Sequence, residues 1–304
     1  MKPHLSSEAP GQAAAPADAA RATGHRYDYH VNLGNANAAA ANVVEYVGTG
    51  KRVLEIGSGP GSITRQLREV GACTIVAIEI DEEAARRVAP YCERVHQADL
   101  NRAGWSQQVC ADGLFDVVVA ADVLEHLVDP WAALREMVCA LREGGHIVLS
   151  LPHAAHNAVI ASFLNGDIAY ADAGLLDRTH IRFFGIHNMQ ALLDGAGLAI
   201  IDAHFVARPP GLTELAQQWS RLTPALRMAL TQNRFGGIYQ VVVKAGRAAN
   251  APPGLRLADL AAPRPEGTLL QRLAASIWTG LSARLSPAAR DRVRNWVKRL
   301  GLRV

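Results

Sequence analysis

Short apolar runs alternate with amphipathic stretches over the middle of the chain. The apolar runs predict strands at residues 52–56, 74–80, 94–98, 115–120 and 146–151. Apolar residues at helical spacing fill the intervals and predict helices at residues 63–70, 82–89 and 130–141. Continuous apolar strands separated by amphipathic helices are typical of a parallel sheet that is covered by helices on both faces.

The pattern changes after the fifth predicted strand. It predicts a helix at residues 187–196, a strand at 199–206, a helix at 213–230 and a final strand at 237–244. A long helix between the two late strands favours a reversed strand that enters the sheet at an edge. We therefore predict an α/β fold with a doubly wound, mostly parallel seven-stranded sheet and one reversed edge strand.

Changes in composition divide the chain into four segments. Residues 1–24 are rich in Ala, Pro and Gly and predict a disordered leader. Proline and glycine accumulate again at residues 246–267, which we interpret as a linker. The alternating pattern therefore defines one domain at residues 25–245, and a separate tail follows at residues 268–304.

The tail is basic and amphipathic. From residue 246 onward the chain has eleven Lys or Arg residues and three acidic ones, although the whole chain carries a net charge of only +3. Leucines at four-residue spacing and a helix start at Ser286-Pro287 predict two helices. We favour packing of these helices on the domain or on a second subunit, with a peripheral membrane contact through residues 268–304 as the alternative. We expect no nucleic-acid partner, and the sequence leaves the oligomeric state open.

Composition and cysteine spacing narrow the class of protein. The chain has 304 residues, of which 49% are hydrophobic, enough for a core that shelters a cofactor. Its four cysteines show no CxxC spacing, so we expect neither a zinc ribbon nor a disulfide scaffold. No apolar run reaches the roughly 18 to 20 residues that cross a bilayer, and the N-terminal residues lack the profile of a signal peptide. We expect a cytoplasmic protein, with contact at the inner face of the membrane as the alternative.

The strongest local motif is a glycine-rich turn between the first predicted strand and the first helix. Gly57, Gly59 and Gly61 allow a tight turn and a close approach of the backbone to a ligand. A P-loop is excluded because no Gly-Lys-Ser/Thr follows. Glu79 lies 18 residues after Gly61, at the end of an apolar run, where a carboxylate can accept ribose hydroxyls. Asp99 closes the third strand and could contact an adenine. These residues indicate a nucleotide-like cofactor and leave a nicotinamide dinucleotide open.

Taken in order, these motifs resemble those of class I S-adenosylmethionine-dependent methyltransferases. The resemblance also rests on the segments FDVVVAADVLEHLVDP at residues 115–130 and LREGGHIVLSLP at residues 141–152. It implies a Rossmann-like fold and S-adenosylmethionine as the cofactor, and it disfavours a nicotinamide cofactor. The cofactor-binding residues that it implies are Glu55, Gly57, Ser58, Gly59, Gly61, Glu79, Ile80, Asp99, Leu100 and Asp122.

Residues that bind the methyl acceptor are expected after the fourth and fifth strands, because ligands bind outside the carboxyl ends of parallel strands. Residues 152–184 form a connection that is too long for a compact α/β domain and predict a lid. Within it, GLLDRTHIRFF at residues 174–184 places polar side chains among aromatic ones, which suits an acceptor pocket. The candidates for a general base or another catalytic role are His126, His180 and Glu125.

The lid segment and LPHAAHN at residues 151–157 resemble a bacterial subgroup that is often linked to surface polysaccharide and glycoconjugate assembly. A ubiquinone-pathway O-methyltransferase group is a more distant likeness. The family pattern has Asn where this chain has His153, so no role is carried onto that residue. We predict in-line methyl transfer to an oxygen of a small-molecule or sugar-containing intermediate.

Two other functions stay open. The first is a non-catalytic binding module that keeps the cofactor fold. The second is a metal-assisted RNA 2′-O-methyltransferase, because that family has a similar E-x-x-E-H arrangement with a further histidine. Here the first position is Asp122 and the rest of that family's context is missing, so we expect no metal at the site.

Overall fold

The computed structural model describes residues 27–111, 113–250 and 254–262. The predicted leader and the predicted tail helices at residues 268–304 lie outside these residues, so both stay predictions. Within the described ranges, no helix is long and apolar enough to cross a membrane. All four cysteines belong to the described residues and are free thiols, as their spacing predicts.

Seven strands form one sheet in the described part of the chain. They are β1 (Arg52–Ile56), β2 (Thr74–Ile78), β3 (Arg94–His96), β4 (Phe115–Ala121), β5 (Leu141–Pro152), β6 (Leu198–Ala207) and β7 (Ile238–Arg247). Their order is β3-β2-β1-β4-β5-β7-β6, and β1 to β5 are parallel. Strand β7 runs antiparallel to β5 and to β6. The predicted seven-stranded, mostly parallel sheet with one reversed strand is confirmed. The reversed strand β7 is not the edge strand, however, because it lies between β5 and the edge strand β6.

Nine α-helices accompany these strands among the described residues. They are α1 (Ala39–Val47), α2 (Ser62–Glu69), α3 (Glu82–Val88), α4 (Trp105–Cys110), α5 (Pro130–Ala140), α6 (Asn157–Leu164), α7 (Ile186–Gly195), α8 (Ala216–Arg221) and α9 (Pro224–Leu230). The bounds of α2, α3, α5 and α7 lie within one residue of the predicted ones. Helices α1, α4 and α6 were not predicted.

The prediction of a single helix at residues 213–230 is wrong. The structure has two short helices there, α8 and α9. The side chain of Thr223 accepts a hydrogen bond from the backbone nitrogen of Leu226, and its backbone is extended, as is favoured before a proline. Pro224 then begins α9, because proline lacks the N–H group that the interior of a continuous helix requires.

Both faces of the sheet are buried, as continuous apolar strands predict. Leu54 and Val118 belong to a core cluster that includes residues of α4, α5 and α7. Their chain neighbours Val53 and Val117 belong to a second cluster with residues of α1 and α2. Successive side chains of a strand point to opposite faces, so these clusters cover the two sides of the sheet.

The strand order reverses between β1 and β4. From β1 the chain runs outward through β2 to β3, and it returns on the other side of β1 as β4. Connections that leave in opposite directions open a crevice at the carboxyl ends of the strands, where open α/β sheets bind ligands. The residues that follow β1, β2, β3 and β4 are those that the sequence singled out.

Candidate active site

One cavity of about 770 Å³ lies at this crevice. It brings together all of the predicted site residues except Gly61. Those that line it are Glu55, Gly57, Ser58, Gly59, Glu79, Ile80, Asp99, Leu100, Asp122, Glu125, His126 and His180. The cofactor-side and acceptor-side candidates therefore share one space.

The turn at residues 57–61, here called the glycine loop, depends on its glycines for backbone conformation. Gly57, Gly59 and Gly61 all have positive φ, at 64°, 54° and 95°. A Cβ on Gly57 would also lie 2.8 Å from Cγ2 of Val123, closer than real Cβ contacts. Gly61 is the N-cap residue of α2 and does not line the cavity. The loop thus needs glycine at all three positions for conformation, and at Gly57 for space as well.

Glu79 is held against the glycine loop by backbone amides. Its Oε2 accepts a hydrogen bond of 2.7 Å from the nitrogen of Gly59, and its Oε1 accepts one of 2.9 Å from the nitrogen of Asp81. An ionised carboxylate can accept about four hydrogen bonds, so each oxygen keeps capacity for a ligand hydroxyl.

Glu55 is a buried acid beside the glycine loop. Burial raises its pKa to about 7, and the negative charge of Glu79 adds to the effect. Its Oε2 has no hydrogen-bond partner among the described residues. A buried carboxyl oxygen without a partner is costly, so this atom is available to a polar or cationic group of a ligand.

The wall next to Glu79 combines apolar and acidic side chains. Ile80 is 60% exposed although it is a large aliphatic residue, and it lines the cavity together with Leu100. Asp99 turns back towards the chain, since its Oδ1 accepts a hydrogen bond from the nitrogen of Asn101. An exposed apolar surface at the rim of a cavity is typical of a ligand-binding site.

Asp122 follows β4 in a conformation that is rare for a residue with a side chain. Its φ is 55°, in the left-handed region. Its carboxylate accepts a hydrogen bond from Nε2 of Gln240, which also donates to Oγ of Ser150 across 3.2 Å. Desolvation in the cavity raises the pKa of Asp122 to about 7, and the hydrogen bonds of its carboxylate with Ser150 and Gln240 oppose the shift. Strand β7, which carries Gln240, therefore fixes an acid that comes from β4.

Glu125, His126 and His180, here called the acceptor cluster, meet in the same cavity, after β4. Glu125 is fully buried, and neither carboxylate oxygen has a hydrogen-bond partner among the described residues. Desolvation raises its pKa well above the usual value, and the negative charge of Asp122 adds to this. Nε2 of His180 lies 3.9 Å from Oε1 of Glu125, and the two imidazole rings are 4.7 Å apart between centroids.

Backbone hydrogen bonds bring this cluster together from two segments. Glu125 and His126 belong to a 3-10 turn after β4, whereas His180 lies in the long connection after β5. The carbonyl oxygen of Glu125 accepts hydrogen bonds from the nitrogens of Ile181, at 2.9 Å, and Arg182, at 3.0 Å. The spacing of the two segments is therefore set by the main chain.

The rest of the segment at residues 174–184 differs in part from the expected pocket of polar and aromatic side chains. Asp177 lines the cavity, but Phe183 and Phe184 do not. Arg178 forms an ion pair of 2.7 Å with Asp172, and Arg182 donates to the carbonyl oxygen of Val128. The aromatic part of the prediction is wrong, because Phe184 packs in the core and Phe183 is half exposed outside the cavity.

His153, which replaces the usual Asn of the family, lies in the protein interior and does not line the cavity. Its Nδ1 lies 3.2 Å from the carbonyl oxygen of Ile238. Burial lowers its pKa to about 4, so the ring is neutral at physiological pH. These contacts give His153 a structural role between β5 and β7.

Sequence reasoning missed two groups of cavity residues. Tyr27 and Tyr29 reach the cavity from residues 27–31, here called the N-terminal strap, and Tyr239 and Gln240 reach it from β7. Of these four residues, Gln240 could have been noticed in the sequence, because it is a polar residue near the start of an apolar strand. The N-terminal strap has no periodic pattern of apolar residues that could predict it, because contacts with distant residues hold it in place.

The comparisons with known proteins agree on one family. The family model described as a methyltransferase domain matches residues 29–203, more than half of the chain. The ubiquinone biosynthesis O-methyltransferase of Ralstonia nicotianae is 27% identical over 125 residues, which cover 39% of this chain and 50% of that protein. The protein of the same name from Parvibaculum lavamentivorans is 25% identical over 186 residues, which cover 60% of this chain and 71% of that protein.

The chain spans about half the length of the first curated relatives it matches. Among solved structures, a SAM-dependent methyltransferase from Archaeoglobus fulgidus is 16% identical and has a TM-score of 0.48. That likeness covers 70% of this chain and 94% of the other.

S-adenosylmethionine is the cofactor of this family, and the residues around the glycine loop fit it. The unpartnered oxygen of Glu55 suits the positively charged end of the cofactor, and Glu79 keeps acceptor capacity for the ribose hydroxyls. Ile80 and Leu100 offer an apolar wall to the adenine. On the family match and on this site, the chain belongs to the methyltransferase-domain family, within the class I S-adenosylmethionine-dependent methyltransferases.

Proposed function

We propose that the protein methylates a hydroxyl oxygen of a small, uncharged acceptor, and that a sugar-containing intermediate is the favoured class. One observation carries this proposal: the glycine loop and the acceptor cluster line the same cavity. A methyl group held at the loop and a hydroxyl held at the cluster would meet inside that cavity. Holding two reactants in near-attack geometry supplies a large share of the rate in a displacement reaction.

The charge of the cavity wall favours an uncharged acceptor. None of the described residues that line it is Lys or Arg, whereas seven are acidic: Glu55, Glu79, Asp81, Asp99, Asp122, Glu125 and Asp177. An anionic acceptor would be repelled by ionised carboxylates. Proteins bind RNA largely through Lys and Arg at phosphates, so this wall disfavours the RNA 2′-O-methyltransferase considered from the sequence. A sugar hydroxyl carries no charge and can donate to these carboxylates.

When bound, S-adenosylmethionine supplies an electrophilic methyl group on a positively charged sulfur. The residues of the chain then have three tasks. Glu79 and the glycine loop hold the cofactor, the strap tyrosines limit the access of water, and the acceptor cluster takes the proton that the hydroxyl loses. His180 is suited to the last task because it lines the cavity and its Nδ1 lies 3.4 Å from the carbonyl oxygen of Leu175, which can only accept, so that Nε2 is the ring nitrogen that can take up a proton.

The curated relatives support oxygen as the accepting atom. Those from Ralstonia nicotianae and Parvibaculum lavamentivorans are both named O-methyltransferases, although the identity is 27% and 25%. A hydroxyl needs a base near its proton, and the cavity provides histidines for that purpose. A binding module without turnover would need no such group.

A labelling experiment tests the proposal. The purified chain is incubated with S-adenosylmethionine that carries a carbon-13 methyl group and with a small-molecule extract of the organism that makes it, fractionated by charge. We expect label in the neutral fraction, with the chemical shift of a methyl ether. Label on a nitrogen would overturn the oxygen assignment, and label confined to nucleic acid would overturn the small acceptor. A Glu79→Ala variant serves as the control with impaired cofactor binding.

The same experiment tests the binding-module alternative. Calorimetry with S-adenosylhomocysteine shows whether the chain binds the cofactor skeleton. Binding together with an absence of label in every fraction would favour the binding module over the methyltransferase proposed here.

A further inference from the structure

We propose that Glu214 is a positioning residue, which fixes the imidazole of His180 through the backbone of Leu175. Glu214 lies just before α8 and does not line the cavity. Its Oε1 accepts a hydrogen bond of 2.6 Å from the backbone nitrogen of Leu175. The carbonyl oxygen of the same residue lies 3.4 Å from Nδ1 of His180. Leu175 therefore connects a carboxylate outside the cavity to a histidine that lines it.

Leu175 itself has little freedom to move. Its side chain is buried in a small apolar cluster that includes Val159 of α6 and Leu215. Leu215 is the chain neighbour of Glu214, so one short segment holds both the side chain and the backbone nitrogen of Leu175. Buried side chains pack closely and keep their positions. The carbonyl oxygen that faces His180 is consequently held in place as well.

The carboxylate of Glu214 is in turn attached to the sheet. Its Oε2 accepts a hydrogen bond of 3.0 Å from the hydroxyl of Tyr239, a residue of β7. The ring of Tyr239 lies against Arg208, with 4.1 Å between its centroid and the guanidinium carbon. Burial raises the pKa of Tyr239, and the negative charge of Glu214 adds to the effect, so the hydroxyl keeps its proton and donates it. Glu214 thus joins β7 to the long connection after β5.

Gly174 allows this close approach. It precedes Leu175 and has a φ of 102°, in the region that favours glycine. A Cβ at this position would clash with Oε1 of Glu214. The residue before Leu175 therefore has to lack a side chain if the carboxylate is to reach the nitrogen of Leu175.

The contact with Leu175 determines which nitrogen of His180 carries the proton. A neutral imidazole has one N–H group and one lone pair, and the hydrogen bond at one nitrogen decides how they are distributed. A carbonyl oxygen only accepts, so Nδ1 of His180 is the donor. Nε2 is then the nitrogen that can take up a proton, as the base requires. Without the anchor at Glu214, the carbonyl oxygen can move, and the ring can adopt the tautomer that has its proton on Nε2.

His126 provides an internal reference for this effect. Its Nδ1 lies 3.1 Å from the carbonyl oxygen of Thr179. Asp177 holds Thr179, because its Oδ1 accepts hydrogen bonds from the nitrogen and the hydroxyl of Thr179. Loss of the carboxylate at residue 214 removes none of these hydrogen bonds, so the tautomer of His126 should not change.

Asp167 offers a matched control at the beginning of the same connection. Its carboxylate pairs with Arg221 and accepts a hydrogen bond from Gln218, and both of these residues belong to α8. Asp167→Ala therefore removes another anchor between the connection and α8. It touches neither Leu175 nor the cavity.

The test reads the tautomer of His180 in the full chain. Protein with ¹⁵N-labelled histidine is studied at alkaline pH by long-range ¹H–¹⁵N correlation NMR, and His180→Asn identifies the signals of His180. We expect a proton on Nδ1 in the wild type and a clear population with the proton on Nε2 in Glu214→Ala. Glu214→Gln should keep the wild-type pattern, because its amide oxygen can still accept from Leu175. Asp167→Ala should also keep it.

The effect on turnover rests on the proposed function, in which His180 takes the proton of the acceptor. We expect Glu214→Ala to slow methyl transfer to the labelled neutral fraction by up to about 10²-fold, because small misplacements of a reacting group cost rates of that order. Glu214→Gln should restore the rate, and the affinity for S-adenosylhomocysteine should stay the same in both variants.

A second variant covers the case in which Glu214→Ala does not fold. Gly174→Ala leaves Glu214 in the chain but displaces its carboxylate, and it should change the tautomer of His180 in the same direction. A wild-type tautomer of His180 in the folded variants among Glu214→Ala and Gly174→Ala would overturn the role of Glu214. An equal change in Asp167→Ala would overturn it too, because any loosening of the connection would then suffice. A changed tautomer together with normal turnover in His180→Asn would support the positioning by Glu214 and overturn the histidine base.

Discussion

The carboxylate of Glu79 accepts a hydrogen bond from the backbone nitrogen of Gly59 across 2.7 Å. This bond joins the end of β2 to the glycine loop after β1, so the acid expected at the cofactor's ribose also holds the loop that surrounds the cofactor. The nitrogen of Asp81 binds the second oxygen of the same carboxylate. Because both donors belong to the main chain, the orientation of Glu79 is set before a ligand binds.

Replacement of Glu79 should weaken cofactor binding for this reason. Glu79→Ala removes the charge-assisted hydrogen bonds to the ribose, and a hydrogen bond to a charged group contributes roughly 1.5–3 kcal/mol. The substitution also removes the hydrogen bond that holds the glycine loop at Gly59. We expect the dissociation constant of S-adenosylhomocysteine to rise at least about tenfold in calorimetry. Glu82→Ala removes an exposed acid of α3 and should leave the affinity unchanged. Equal affinities for both variants would remove the assigned role of Glu79.

The N-terminal strap should slow the release of the cofactor. Asp28 lies 2.7 Å from Nη2 of Arg65, and the hydroxyl of Ser62 hydrogen-bonds to the carbonyl oxygen of Tyr27 and to the nitrogen of Tyr29. Asp28→Ala removes a mostly buried acid that pairs with the partly exposed side chains of Arg65 and Arg87, and loss of a charged hydrogen bond costs about 1.5–3 kcal/mol.

We expect dissociation of S-adenosylhomocysteine, followed by stopped-flow fluorescence, to become roughly tenfold faster in Asp28→Ala. The matched control is Glu93→Ala, which removes the ion pair of 2.7 Å between Glu93 and Arg52 away from the cavity. A dissociation rate that does not change in Asp28→Ala would show that the strap does not cover the cofactor.

The acceptor cluster should control turnover and leave cofactor affinity alone. His180→Asn should lower the rate of methyl transfer by about 10²–10⁴, because a positioned base contributes on that order. The affinity for S-adenosylhomocysteine should stay the same, since the cofactor is assigned to the glycine loop, Glu55 and Glu79, and His180 is not among these residues. His187→Asn is the control, and unchanged turnover in both His126→Asn and His180→Asn would exclude a histidine base.

The sequence predicted the part of the site that the topology dictates. Residues after parallel strands must converge at one end of a sheet, so Gly57, Glu79 and Asp99 could be assigned from their positions after β1, β2 and β3. His180 could be predicted for a similar reason, because it lies in a long connection that follows the carboxyl end of β5.

The remaining cavity residues depend on contacts between distant parts of the chain. Tyr29 reaches the cavity because Asp28 pairs with Arg65, 37 residues away. Gln240 reaches Asp122 because β7 is inserted beside β5, whereas the pattern of apolar positions placed the last strand at an edge. The break between α8 and α9 could have been predicted from the sequence, because Thr223-Pro224 is a typical start of a helix. The helical spacing of the apolar residues on both sides of it led instead to the prediction of one continuous helix.

Glu55 should give the protein a specific dependence of stability on pH. Burial raises its pKa to about 7 in the folded chain, compared with about 4.5 for an exposed group. Between these two pH values the folded state keeps a proton that the unfolded state has lost. The free energy of unfolding contributed by this group therefore falls as the pH rises from about 4.5 to about 7, and it stays constant above that range.

Glu55→Gln isolates this effect, because an amide does not ionise. Urea unfolding should show that the variant gains stability relative to the wild type between pH 4.5 and pH 8, by on the order of 3 kcal/mol. Other groups titrate in both proteins and cancel in the difference. Desolvation raises the pKa of Asp122 to about 7, which acts in the same direction as Glu55, and it lowers the pKa of His146, His153 and His156 to about 4, which acts in the opposite direction. Glu82→Gln on the surface should show no such trend. A difference between Glu55→Gln and wild type that is the same at both pH values would mean that Glu55 is ionised in the folded protein throughout, and that the cavity stabilises its charge.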